Sequence, residues 1–132
     1  MAWQPAPGET LFRPSGPNDH LFVVILGPAV LANYGSGQQL VMVSLTSIKP
    51  GLPSDPACEV SPGEHPFIRQ PTYVAYRYAC IESVDHTMKM LQAGVWRLGG
   101  VVQPALLQRI VQGACASRMI PRLFKGLFGC GP

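Results

Sequence analysis

The chain alternates between short apolar runs and polar gaps carrying proline or glycine. Leu21–Leu26 is rich in β-branched and aromatic residues and apolar on both faces, which predicts a central strand covered on two sides and opened by His20. Leu40–Leu45 places Val41, Val43 and Leu45 on one face and Met42, Ser44 and Thr46 on the other, then leaves through Thr46–Ser47–Ile48. Gly8–Phe12 reads as a first strand entered from a glycine, with a loop over Arg13–Asp19 behind it and a polar turn at Asn33–Gln39. A further strand is expected over Tyr73–Cys80. Period two puts Val74, Tyr76, Tyr78 and Cys80 on one face of it and Tyr73, Ala75, Arg77 and Ala79 on the other. Between these last two strands runs a long connection, Lys49–Gly63, with four prolines and a short segment at Ala57–Val60 suited to brief pairing.

Helical spacing dominates the C-terminal third. Leu106, Leu107, Ile110, Val111 and Ala114 recur on one face of a helix predicted from Pro104 to about Ser117, with Gly113 costing it about 1 kcal/mol relative to alanine. Ser83 or Asp85 caps a shorter helix through Met88, Met90 and Leu91 that ends near Gly94. Leu98–Val102 reads as a break, and Met119–Phe128 as a short amphipathic tail lying across the core or a partner. The expected fold is therefore mainly β with α (α+β): one domain over residues 1–132, a β core at 8–85 and a basic helical extension at 86–132.

Composition sharpens this picture. With 47% hydrophobic and 13% charged residues, the 132-residue chain has the balance of a folded domain, and its 14 prolines and 14 glycines suit short strands joined by turns. Charge is unevenly placed: residues 1–85 carry four basic and seven acidic side chains, whereas residues 86–132 carry six basic and no acidic ones. A one-signed field of that kind attracts polyanions or an acidic protein segment. The N-terminus lacks the basic start and apolar core of a signal peptide, and no apolar run is long enough to cross a bilayer. Cys58, Cys80, Cys115 and Cys130 are widely scattered, so the expectation is a cytoplasmic protein with reduced thiols, no membrane association and no metal or other cofactor; the alternative is a secreted fold with two disulfides.

No phosphate-binding glycine loop, paired-histidine metal spacing or nucleophile elbow is present, and seven acids are few for a magnesium-dependent nuclease. The remaining candidates are polar groups at strand ends: His20, Ser44, Thr46, Ser47, Glu64, His65 and Arg77. Such a set suits metal-independent cleavage of RNA. A base helps the ribose 2′-hydroxyl attack phosphorus, a cation stabilises the added charge, and an acid protonates the leaving oxygen. Proline after His65 restricts the Gly63–Glu64–His65–Pro66 turn and holds that imidazole in a narrow range of directions.

The order of these segments resembles the PemK/MazF-like toxins of toxin–antitoxin pairs. Gly8–Glu9–Thr10–Leu11, the valine-rich run 21–26 and Val41–Met42–Val43–Ser44–Leu45–Thr46–Ser47 match the family's opening strand and its Thr-Ser strand exit. Asp55–Pro56–Ala57–Cys58, Gly63–Glu64–His65–Pro66–Phe67–Ile68 and Tyr73–Val74–Ala75–Tyr76–Arg77 look like a divergent branch of it. The resemblance, over residues 8–85, implies an SH3-like small barrel of antiparallel strands with C-terminal helices. It also implies a homodimeric, metal-independent endoribonuclease acting on single-stranded RNA and neutralised by an antitoxin. Thr46 and Ser47 correspond to the family's Thr-Ser pair, but Asp19–His20 stands where Arg-Pro is usual, with Arg13 earlier. On this reading Arg77, His65, Thr46 and His20 are the candidate catalytic residues: Arg77 for the phosphorane, His65 or His20 for the protons, Thr46 for the scissile phosphate. Ser47, Tyr73, Arg13 and Arg69 are the candidate substrate-binding residues. The alternative is a non-catalytic SH3-like module that binds an acidic protein segment or nucleic acid.

Overall fold

A computed structural model describes residues 3–130 and contains six strands and three helices among them. Strands β1 (Glu9–Ser15), β2 (Asn18–Val30), β3 (Gln38–Ser47), β4 (Glu59–Val60), β5 (Thr72–Ser83) and β6 (Arg97–Val101) form one antiparallel sheet in the order β4-β5-β3-β2-β1-β6. The sheet curls into a half-barrel, and helices α1 (Val84–Gln92), α2 (Pro104–Ala116) and α3 (Arg122–Leu127) pack against it, a mainly β, α+β arrangement.

Alternation along the strands separates two apolar layers. Val23, Val41, Val43, Val74 and Tyr76 face α2 and α3, where they meet Leu106, Ile110 and Phe124. On the other face Leu11, Val24, Leu40 and Met42 pack with Trp96 and, from α1, with Met90 and Leu91. The fully apolar character of Leu21–Leu26 follows from this: β2 is central and covered on both sides. The α2 periodicity is realised as Pro104–Ala116, with proline in its first turn. Ser83 caps α1, its Oγ accepting the His86 N–H at 3.0 Å.

Four expectations change. The loop over Arg13–Asp19 is a tight turn, because β1 runs to Ser15 and β2 begins at Asn18, so Arg13 and His20 are cross-strand partners. Leu98–Val102 is not a break. Residues 97–101 form β6 and pair with β1, so the C-terminal third completes the sheet. Gly99 serves that pairing: a Cβ there would lie 2.6 Å from Thr10 Oγ1 and 2.9 Å from Leu21 Cδ1. The β5 alternation is interrupted, since Met42 pairs with Cys80 while Ser44 pairs with Ala75, so Tyr76–Ala79 bulge against Val43 alone. Finally, Cys115 and Cys130 are joined by a disulfide with Cα atoms 5.4 Å apart, whereas Cys58 and Cys80 are free thiols. No helix among the described residues is long and apolar enough to cross a membrane.

The helical layer is fixed by polar contacts as well as by burial. Tyr76 Oη donates to the Ile110 carbonyl at 2.6 Å, and Gly113 is the close-approach point of α2, since a Cβ there would lie 2.2 Å from that oxygen. Ser117 Oγ donates to Asp55 Oδ2 at 2.6 Å and accepts the Met119 and Ile120 N–H groups, tying the long connection to the segment before α3.

Candidate functional site

The polar strand ends of the sheet open into a cleft of about 330 Å³ where β2 begins and β3 ends. Its walls include His20, Thr46, Ser47 and Lys49, with Phe67, Ile68 and Gln70 from the loop before β5 on the opposite side. Antiparallel pairing explains why these residues meet. Leu21 stands opposite Leu45, so one further step brings His20 opposite Thr46, and Thr46 in turn pairs with Tyr73. Directly opposite residues project to the same face. Arg13, His20, Thr46 and Tyr73 therefore form one row across β1, β2, β3 and β5. Ser47 belongs to the other face, with Leu45. The cleft thus wraps the end of the sheet, with His20 and Thr46 of the row on one side and Ser47 on the other.

Cations in this region differ in how they are held. Arg13 is turned inward, its guanidinium lying over the Phe22 and Trp96 rings at 4.4 and 4.1 Å and pairing with Glu82 at 3.1 Å. That half-buried setting makes Arg13 a part of the packing around α1 rather than a contact for a ligand in the cleft. Arg97 bonds Asp19 at 2.9 Å on the cleft rim and cancels its charge. The three ion pairs among the described residues involve Arg13, Arg97 and Arg109, which leaves Lys49 as the uncompensated charge of the cleft.

His65 and Arg77 are placed elsewhere. His65 is 2% exposed; its Nδ1 accepts the Phe67 N–H at 3.2 Å and its carbonyl accepts the Ile68 N–H at 2.9 Å. Burial pushes its pKa down, with a hydrogen bond to the Gly99 backbone opposing. The buried imidazole fixes the Phe67 N–H within the loop before β5, a structural task. Arg77 rides on the β5 bulge, exposed, with its guanidinium 4.9 Å from the Tyr78 ring centre, and it does not line the cleft. Arg69 is exposed and likewise outside the cleft walls. Of the eight candidates, His20, Thr46 and Ser47 share the cleft, and Tyr73 adjoins Thr46 by register.

Among the cleft residues that sequence reasoning passed over are Lys49 and Phe67. Lys49 was within the long connection, and its position two residues past the Thr-Ser exit was the available signal. Phe67 stood inside the Glu-His-Pro-Phe motif but was overshadowed by the histidine.

Other chemistry is less suited to the cleft. Burial pushes the Cys58 and Cys80 thiols up, away from the thiolate form a nucleophile needs. Among the described residues no group of three or more His, Cys, Asp and Glu side chains is disposed to hold a metal ion. With the Thr72 hydroxyl already donated to the Gln70 carbonyl, what the cleft offers is an imidazole, the hydroxyls of Thr46 and Ser47 and an ammonium: one proton carrier, hydrogen-bond donors and a positive charge, the complement of an oxyanion with an ionisable neighbour. Comparison with family models, curated proteins and solved structures finds no match for this chain.

Proposed function

We propose that the chain is an SH3-like, PemK/MazF-like endoribonuclease that cleaves single-stranded RNA without a metal ion. The observation that carries this reading is the convergence of His20, Thr46, Ser47 and Lys49, from separate strand ends, on one cleft. His20 accepts the proton of a ribose 2′-hydroxyl as that oxygen attacks the adjacent phosphorus. The bond to the 5′-oxygen breaks, solvent protonates the leaving group, and a 2′,3′-cyclic phosphate remains. Lys49 balances the added negative charge and the Thr46 and Ser47 hydroxyls orient the non-bridging oxygens. In this assignment Lys49 takes the place given to Arg77, and His20 works without His65. Homodimerisation and neutralisation by an antitoxin belong to the same proposal, as does a cytoplasmic location, where RNA is available.

Purified protein incubated with single-stranded RNA in EDTA is expected to release fragments ending in 2′,3′-cyclic phosphate. Fragments with 3′-hydroxyl ends, or no fragments at all, would remove the mechanism.

One observation favours the non-catalytic alternative. Arg13, the arginine nearest in sequence to the family's position, is committed to Glu82 and two aromatic rings, so its guanidinium does not serve the cleft. A module that holds RNA or an acidic protein segment at Lys49 and does not cut would bind RNA in the same assay and leave it intact.

A further inference from the structure

The loop before β5 gives one large apolar side chain to the cleft. Phe67 is 56% exposed and lines the cleft beside Thr46, Ser47 and Lys49. Its exposure does not come from looseness. The Phe12 ring meets it edge-on, with centroids 4.7 Å apart at 87°, and the His65 ring lies 5.5 Å away at 35°. Its own N–H is held by His65 Nδ1 at 3.2 Å, and Gly63 N–H donates to the Ile68 carbonyl at 3.0 Å, closing the loop around it. A phenyl ring fixed by two others, yet half open to water at the lip of a polar cleft, is a surface prepared for a planar partner. The partner must also satisfy the charge of Lys49 and the exposed side-chain amides of Asn18 and Gln70, which line the same cleft. A nucleotide has all three parts: a flat base to stack, a phosphate for the ammonium, and base edges for the amides.

We propose that Phe67 is a nucleobase platform: the base of a single-stranded nucleotide stacks on its open face while the adjoining phosphate lies at Lys49, Thr46 and Ser47. This deepens the RNA reading above and rests on it. Under the proposal the Glu-His-Pro-Phe motif acts as a unit, with His65 positioning the ring that touches the ligand.

The test measures binding of a labelled 2′-O-methyl oligouridylate, which lacks the attacking hydroxyl, against an abasic oligomer of the same length and charge. Wild-type protein is expected to prefer the base-bearing strand by about ten-fold, the scale of one stacked base. Phe67→Leu keeps an apolar side chain against Phe12 but has no flat face, and is expected to bind both strands with the abasic affinity. Phe67→Trp is expected to retain the preference. Lys49→Ala is expected to weaken both strands alike. A wild type that binds the two strands equally while still cleaving RNA overturns the platform and leaves the nuclease reading standing. A wild type that binds neither strand and cleaves nothing overturns both. Phe67→Leu losing affinity for the abasic strand to the same degree, with an unchanged melting temperature, also overturns the platform.

Discussion

Strand β5 belongs to two regions that treat polar groups in opposite ways. Beneath α2, Tyr76 has its hydroxyl bonded to Ile110, Asp55 is bonded by Ser117, and no buried side-chain nitrogen or oxygen among the described residues lacks a partner. At the Thr72–Tyr73 end, the same strand borders a cleft whose imidazole, Thr46 and Ser47 hydroxyls and ammonium are half-exposed or exposed. In the first region polarity is a fastening. In the second it is uncommitted and open to a ligand. Because a domain of this size is only marginally stable, fastening and function are best separated in space, and substitutions should divide accordingly.

Two histidines, His20 in the cleft and the buried His65, offer the strongest way to break this division. His20→Gln is expected to lower RNA cleavage by about 100-fold, the lower end of what a positioned proton carrier contributes, with no change in melting temperature. His65→Gln should do the reverse, lowering stability by about 1–3 kcal/mol through disturbed buried bonding while each folded molecule still cleaves at saturating RNA, since a displaced Phe67 weakens binding and not the proton transfer. Cleavage rates and denaturant midpoints measured on both variants decide it. A His65→Gln protein that melts normally and cannot cut would erase the distinction.

Gly113 sharpens the comparison from the docked side. Alanine improves helix propensity by about 1 kcal/mol at an unconstrained position. Here the new Cβ would lie 2.2 Å from Tyr76 Oη and 3.1 Å from Cys58 Cβ. Overpacking should win, so Gly113→Ala is expected to lose about 2 kcal/mol net, read from a urea midpoint. Adding Tyr76→Phe, which removes the crowded oxygen, should recover part of that loss, a coupling that two independent sites would not show.

Local patterns were legible in the sequence where neighbours in the chain decide them. The α2 stripe, the Ser83 cap and the brief β4 pairing near Val60 all follow from spacing or from one side chain. Long-range pairing was not. Leu98–Gly99–Gly100 carries no strand signal, because Gly99 answers to Thr10 and Leu21 across the sheet. The same holds for the β5 bulge, which lifts Arg77 out of the alternation that seemed to set it beside Tyr73. Candidate chemistry was read by residue type, and type does not reveal commitment. Arg13 and His65 have the right groups, but packing has already engaged both. His20, Thr46 and Ser47 were legible because strand ends are where polar groups collect without being buried.

His65 also gives the comparison a pH dependence. Burial holds its folded pKa below the ordinary value near 6.5, so the folded state resists protonation that the unfolded chain accepts. The sign is fixed: its contribution is fully present above about pH 6.5 and is lost as pH falls from there toward the folded pKa. One proton limits the slope to about 1.4 kcal/mol per pH unit. Denaturant midpoints of the wild type should decline below that pH, and those of His65→Gln should decline less. Identical profiles would mean that the loop opens and exposes His65 before the domain unfolds.

The smallest effect belongs to the pair that joins α2 to the loop carrying His65. Arg109 bonds both carboxylate oxygens of Glu64 and donates to the Glu59 carbonyl at 2.7 Å, and the guanidinium holds the Glu64 carboxyl below its ordinary range. A depressed folded pKa contributes stability above the ordinary carboxylate value, and that stability is lost as pH falls through the folded one. The side chains are 28% and 45% exposed, so solvent screens the pair, and Glu64→Gln is expected to cost no more than about 1 kcal/mol, less in high salt. Arg109→Ala should cost more, because it also removes the bond to Glu59. Neither change touches the cleft. If Glu64→Gln altered RNA cleavage while its small stability cost stayed in this range, the loop would be transmitting the state of α2 to Phe67 and Lys49, and the two regions would be coupled rather than separate.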